Sequence, residues 1–136
     1  MTVEEIMSRS VVTLSPDDSL EKARALFVDF HFHHLLVVGD GQLLEVISDR
    51  DLLKAMSPYV DTLSETVRDR ATLNKRAHQI MNRHCVTVRL GTSVETAGYM
   101  LIEKKISCLP VVDKDGHVEG IISWKDVLQS FLPNRS

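Results

Sequence analysis

Aromatic side chains are scarce: Phe, Tyr and Trp supply 5% of the 136 residues, with a single Trp. A core must therefore rest on Val, Ile, Leu and Met. Positive charge is not in excess either. Sixteen Lys and Arg face nineteen Asp and Glu, a formal charge of -3. Duplex nucleic acid calls for a concentrated basic surface, so no nucleic acid duplex is expected as partner. Cysteine is rare. Cys85 and Cys108 make neither a disulfide framework nor a four-ligand zinc pattern. They fit a reducing compartment, where Cys is commonly a small core residue. No apolar stretch approaches the ~20 residues of a spanning helix. The opening Met1-Thr2-Val3-Glu4-Glu5-Ile6-Met7 is acidic and has no signal-peptide core. A cytoplasmic protein with no membrane partner is the expectation. What is present, 43% apolar and 26% charged residues, is the composition of a soluble globular chain.

The chain repeats itself. Ile6-Met7-Ser8-Arg9 aligns with Ile80-Met81-Asn82-Arg83, and Val12-Thr13 with Val86-Thr87. Ser19-Leu20-Glu21-Lys22-Ala23 then meets Ser93-Val94-Glu95-Thr96-Ala97, and Leu35-Leu36-Val37-Val38 meets Leu109-Pro110-Val111-Val112. After a one-residue slip in the next turn, Ile47-Ser48-Asp49-Arg50-Asp51-Leu52-Leu53 falls on Ile122-Ser123-Trp124-Lys125-Asp126-Val127-Leu128. Identity at about a third of positions over about 50 residues, with one gap, marks a duplicated unit. The copies are read as residues 1–56 and 76–136, joined by a connecting segment 57–75. Neither copy alone is large enough for a stable core, so the two are expected to pack sheet against sheet about a pseudo-twofold axis.

Both copies carry the same order of elements. A short leading helix ends near Ile-Met. A β-branched strand follows, Val11-Val12-Thr13 or Val86-Thr87-Val88. Ser15-Pro16-Asp17-Asp18-Ser19 and Gly91-Thr92-Ser93 are helix-capping clusters. Helical apolar spacing comes next: Leu20, Ala23, Leu26, Phe27 and Phe30, or Val94, Ala97, Met100 and Leu101. Two strands joined by a Gly-containing turn span Leu35 to Ser48 and Leu109 to Ser123, and a closing helix runs from Arg50 to Met56 or Lys125 to Phe131. Leu63 to Arg70 has the spacing of a connecting helix. The fold class is α/β (α+β), two β-α-β-β-α repeats.

Ser48-Asp49-Arg50-Asp51 and Ser123-Trp124-Lys125-Asp126 each set a hydroxyl, a cation and a carboxylate within four residues at a strand-to-helix junction. Free N–H groups at a helix start favour an anion, and a neighbouring cation adds a phosphate contact. An ionised carboxylate accepts hydrogen bonds from two vicinal hydroxyls, as on a ribose. Together these residues describe a ribose-phosphate receptor. The same residues also make an ordinary capped first turn, and both readings stand at this point.

The repeat resembles the CBS domain, and the tandem pair resembles a Bateman module over nearly the whole chain. The resemblance rests on Ile80-Met81 with Val86-Thr87-Val88, on Ile106-Ser107-Cys108-Leu109-Pro110-Val111-Val112-Asp113, and on Gly120-Ile121-Ile122-Ser123-Trp124-Lys125-Asp126-Val127. The first copy departs from it: Glu45 replaces the counterpart of Gly120, and Leu36 that of Pro110. The resemblance implies a non-enzymatic, stand-alone regulatory module that senses an adenine nucleotide (AMP, ADP or ATP) in clefts mixing both copies. Carried onto this chain, one cleft uses Met7, Val12, Phe32, His33 and His34 with Ser123, Lys125 and Asp126. The other uses Met81, Val86, Ile106, Ser107 and Cys108 with Ser48, Arg50 and Asp51. Asp126 and Asp51 would hold ribose hydroxyls, and Lys125 and Arg50 would meet phosphate. The signal would pass to a separate effector protein.

His31-Phe32-His33-His34 also invites a metal reading, since imidazoles are common ligands. Adjacent residues on a strand face opposite ways, so three of them do not converge on one ion, and no metal is expected. Helix-end and cleft-lining roles stay open for these histidines. Trp124 is suited to stacking on adenine or to packing at a dimer face. No Gly-rich phosphate loop, zincin motif or nucleophile elbow accompanies the cysteines. Two alternatives remain: a ligand-free dimerisation scaffold, and a sensor of another adenosyl ligand such as S-adenosylmethionine or NAD. Leu52, Leu53, Met56, Val127, Leu128 and Phe131 on the closing helices are the candidates for facing a second module in a homodimer.

Overall fold

A computed structural model describes residues 1–30, 33–80 and 85–133. Two compact units emerge: Val12–Cys85, and Met1–Val11 together with Val86–Ser136. Each holds one three-stranded sheet. In the first unit the sheet order is β1 (Thr13–Leu14), β2 (His34–Gly39), β3 (Gln42–Ser48). Helix α1 (Leu20–Phe30) links β1 to β2, and α2 (Asp49–Ala55), α3 (Val67–Ala71) and α4 (Ala77–Ile80) follow. The second unit repeats the pattern with β4 (Val88–Arg89), α5 (Val94–Lys104), β5 (Cys108–Val112), β6 (Val118–Ser123) and α6 (Trp124–Ser130). The first pair of each sheet is parallel and the second antiparallel, with a bulge at the equivalent places Val37/Val38 and Val111/Val112. The expected β-α-β-β-α order is thus present twice.

Several boundaries differ from the sequence reading, each for a local reason. The first strand of each copy starts later than expected, at Thr13 and at Val88. The Leu36 N–H reaches the Val12 carbonyl at 3.2 Å, and Thr13 pairs with Leu36. The equivalent residue Pro110 has no N–H to give, so that step of the ladder is missing and pairing begins at Val88 with Val111. The leading helices are one 3-10 turn, Val3–Glu5, and the four residues of α4. The connecting helix is confined to Val67–Ala71, because Thr66 caps it by accepting from the Asp69 N–H and turns occupy Leu63 and Ser64. Both closing helices begin one residue earlier than expected, directly after their caps Ser48 and Ser123. The hairpin slip also has a cause. Asp40-Gly41 closes the first hairpin with two positive-φ residues, the two-residue turn that suits strand twist. The second uses residues 113–117, with Gly116 at φ 86°.

The sequence copies and the compact units do not share boundaries. Val3 is fully buried in the core of the second unit, with Val94, Leu101, Leu109, Val111 and Ile122. Its N–H donates to the Thr92 carbonyl at 2.8 Å, and the Val94 N–H donates to the Met1 carbonyl at 3.0 Å. Ser8 and Ile121 exchange two backbone bonds of 2.9 Å, so the leading segment extends the β6 edge. In the same manner the Ala77 N–H donates to the Asp18 carbonyl at 2.8 Å, and Ala77 is buried with Val37 and Ile47 in the first unit. Each copy's leading segment therefore belongs to the unit built on the other copy. Leu14, Leu20, Ala23, Phe27, Leu35 and Leu52 complete the first unit's core.

Candidate functional site

The two Ser-x-x-Asp segments fold alike. At Ser123 the backbone N–H donates to Asp126 Oδ2 at 2.8 Å and the hydroxyl donates to the same oxygen at 3.0 Å. The Asp126 N–H returns a bond to Ser123 Oγ at 3.2 Å. At Ser48 the N–H donates to Asp51 Oδ2 at 2.9 Å, and the Asp51 N–H to Ser48 Oγ at 3.1 Å. Each is a capping box, with the carboxylate satisfying the helix start. The cap explains only one carboxylate oxygen in each box. Oδ1 of Asp126 and of Asp51 accepts no hydrogen bond among the described residues, and neither Lys125 nor Arg50 has an ion-pair or hydrogen-bond partner among them. A hydroxyl acceptor and an unengaged cation thus stand together at each junction.

The start of the middle strand lies beside each junction. Cys108 pairs with Ser123 and His34 with Ser48. The Trp124 N–H donates to the Ser107 carbonyl at 3.2 Å, and the Asp49 N–H to the His33 carbonyl at 3.0 Å. Ser107 is exposed, Ile106 half-buried and Cys108 buried. Val86 packs against the second unit's core and Val12 against the first. Met7 lies over β6: a Cβ added to Gly120 would meet its sulfur and the Ser8 carbonyl oxygen, each at 2.7 Å. Gly120 is required here by close approach. The first copy carries the buried Glu45 at this place. Phe32 and Met81 lie outside the described residues. Each predicted set of cleft residues draws on both units. Within a unit, the structure brings Met7, Ile106, Ser107 and Cys108 to the sheet that carries Ser123, Lys125 and Asp126, and His33 and His34 to the one that carries Ser48, Arg50 and Asp51.

His33 and His34 do face different surroundings. His33 is exposed, with Nδ1 3.1 Å from Asp49 Oδ2. That hydrogen bond holds the Asp49 carboxyl below the usual carboxylate range, aided by the Arg50 N–H. Burial pushes the His34 imidazole down, and the Asp49 and Asp51 charges offset only part of this. Asp49 was visible in the sequence as the counterpart of Trp124, yet only the structure shows it engaged with His33. The one close group of metal-capable side chains among the described residues is Asp113, Asp115 and His117. Asp113 is already committed to the hairpin turn: its Oδ1 accepts from the Asp115 and His117 N–H groups at 2.8 and 2.9 Å.

The CBS domain family model matches residues 3–58 and 77–132. The chain belongs to the CBS-domain family. It carries a tandem pair, the Bateman arrangement, and such domains are in general regulatory modules without catalysis. An uncharacterised protein of Methanocaldococcus jannaschii, MJ1225, is 29% identical over 130 residues, covering 95% of this chain and 46% of that protein. The chain thus spans about half of that protein and 24% of a homoserine O-acetyltransferase of Methanococcus vannielii, against 90% of a CBS domain-containing protein of Dictyostelium discoideum, to which it is 32% identical over 132 residues. Among solved structures, CBSX2 of Arabidopsis thaliana in complex with AMP matches with a TM-score of 0.78 and 29% identity, over 95% of this chain and 94% of that one. The CBS pair of protein MJ0100, in complex with 5′-methylthioadenosine and S-adenosylmethionine, matches with a TM-score of 0.78 and 25% identity, over 96% and 95%. Structural relatives of this tandem pair therefore bind adenosine-containing ligands.

Proposed function

We propose that this CBS pair senses an adenine nucleotide (AMP, ADP or ATP) and passes the signal to a separate effector protein. The observation that carries the reading is the duplicated junction, where a carboxylate oxygen left over by the cap neighbours a cation with no partner among the described residues. Asp126 and Asp51 accept the ribose hydroxyls, and Lys125 and Arg50 meet phosphate. Met7, Val12, Phe32, His33 and His34, and Met81, Val86, Ile106, Ser107 and Cys108, supply the adenine walls. AMP bound to CBSX2 supports the choice of ligand class.

A homodimer is part of the proposal. The closing-helix stripe is divided between core and surface. Leu52 and Val127 are buried, whereas Leu53, Leu128 and Phe131 are 50–67% exposed. The exposed set is the surface assigned to a second module.

Thermal unfolding with AMP, ADP, ATP, S-adenosylmethionine and NAD tests the reading. A ligand at 100 times its dissociation constant stabilises by about 2.7 kcal/mol, several degrees at this size. A selective rise with one adenine nucleotide is expected. A rise only with S-adenosylmethionine or NAD replaces the ligand assignment, and no rise with any compound favours the dimerisation scaffold.

A further inference from the structure

The two junctions are equal in their Ser and Asp but unequal in charge. The second unit offers Lys125 and Asp126, one charge of each sign, with the neutral Trp124 between cap and cation. The first offers Arg50 against both Asp49 and Asp51. Asp49 is 44% exposed on its side chain and directly follows the cap, so its charge adds to that of Asp51 at the surface. Its hydrogen bond to His33 Nδ1 fixes it in place at 3.1 Å. Glu45 on β3 and Glu119 on β6 add one carboxylate to each sheet and leave the inequality as it is. Trp124 is 57% exposed, so neither position is dictated by core packing.

We infer that the two junctions select ligands of different charge: Lys125 and Trp124 suit a 5′-phosphate, whereas Asp49 turns the Arg50 junction toward an adenosine ligand whose 5′ group is neutral or cationic. This rests on the reading that both junctions take adenosine ligands. A phosphate drawn to Arg50 meets the carboxylates of both its chain neighbours, Asp49 and Asp51, and like charges there work against the gain from the single cation. A cationic 5′ group meets the reverse balance. Asp49 is then a specificity-determining residue, and Trp124 its neutral counterpart.

Calorimetric titration of the full chain with AMP and with 5′-amino-5′-deoxyadenosine, a cation at neutral pH, tests the inference. Emission from Trp124, the single tryptophan, marks occupancy of its own junction. AMP is expected to fill one class of site strongly and to change Trp124 emission, with the amine preferring a second class. Asp49→Asn should tighten AMP at the weaker site, and loosen the amine there, each by about fivefold for one charge removed at partly screened range. Trp124→Asp should weaken AMP at the stronger site by a similar factor. Two equal AMP sites in the unaltered chain, or affinities unmoved by Asp49→Asn, overturn the charge selection and leave the nucleotide reading standing. A chain that binds neither compound overturns both.

Discussion

Replacing Asp126 by Ala separates the two duties of its carboxylate. The helix duty is visible in three bonds with Ser123, of 2.8, 3.0 and 3.2 Å. The substitution deletes the first two and leaves the third, in which Ser123 Oγ still caps the helix. Losing half of a capping box costs about 1 kcal/mol, within the 0.5–2 range measured for caps. For a chain of this length that is about 3–5 °C in the unfolding midpoint. The ligand duty proposed for it rests on Oδ1, which carries no bond among the described residues. Hydrogen bonds to a charged group contribute about 1.5–3 kcal/mol each, so even one lost ribose contact weakens nucleotide binding by at least about tenfold.

The assay pairs urea unfolding without ligand with calorimetric titration of AMP on the same preparations. Ser123→Ala is the control: it removes both bonds of the Ser123 hydroxyl, to Asp126 Oδ2 and from the Asp126 N–H, but leaves the Asp126 carboxylate bound to the residue 123 N–H. It should lose similar stability and far less affinity. If Asp126→Ala loses its degree of stability yet binds AMP as the unaltered chain does, Asp126 is a cap and nothing more, and the ribose assignment fails. A parallel loss of affinity in both variants would mean that binding reads the order of α6 and not the carboxylate.

Three further outcomes follow from the same geometry. Gly120→Ala places a Cβ 2.7 Å from the Met7 sulfur and from the Ser8 carbonyl oxygen. Relief requires moving backbone, so about 1–3 kcal/mol of stability should be lost, and the first eleven residues should become more open to limited proteolysis. Unchanged urea midpoint and cleavage would contradict the packing of that segment on β6. His34 has a lowered proton affinity in the folded chain, so the unfolded chain binds more protons on acidification. Its contribution to stability is fully present above about pH 6.5, its ordinary value, and falls as pH descends through the lower folded value. His34→Gln should remove this part of the pH dependence between pH 7.5 and 5.5 in urea titrations. Asp61 pairs with Arg24 at 2.7 Å and Arg70 at 2.8 Å on the surface. Asp61→Asn should lower the urea midpoint only slightly, and the loss should shrink as salt is raised.

The repeat was legible because it is written twice. Agreement between Ser48-Asp49-Arg50-Asp51 and Ser123-Trp124-Lys125-Asp126 fixes the strand-to-helix junctions, and both helices start directly after the serine. The helical apolar spacing over Leu20–Phe30 coincides with α1, and that over Val94–Leu101 marks the start of α5, which runs on to Lys104. The short first strands were read too early, because β-branched runs show where extended chain is comfortable and not where partners exist. Pro110 is what withholds the partner in the second copy. The exchange of leading segments left no local mark. Val3 and Ala77 look like ordinary apolar residues in their own copies, and only their backbone bonds to Thr92 and Asp18, distant in sequence, and their burial in the other copy's core show where each belongs.

The site was half legible for a related reason. A capping box and a ribose receptor call for the same residues at the same spacing, so Ser-x-x-Asp alone does not distinguish them. Geometry separates the roles within one side chain: Oδ2 belongs to the helix, and Oδ1 accepts no bond among the described residues. Oδ2 ties Asp51 and Asp126 to their helix starts whether or not a ligand is bound, so the nucleotide reading rests on Oδ1 and on the neighbouring cation. The positions between them carry no such duty. Asp49, Arg50, Trp124 and Lys125 are exposed or half-exposed and bear no cap bond through their side chains. It is their charge, and not the motif that brackets them, that tells the two junctions apart.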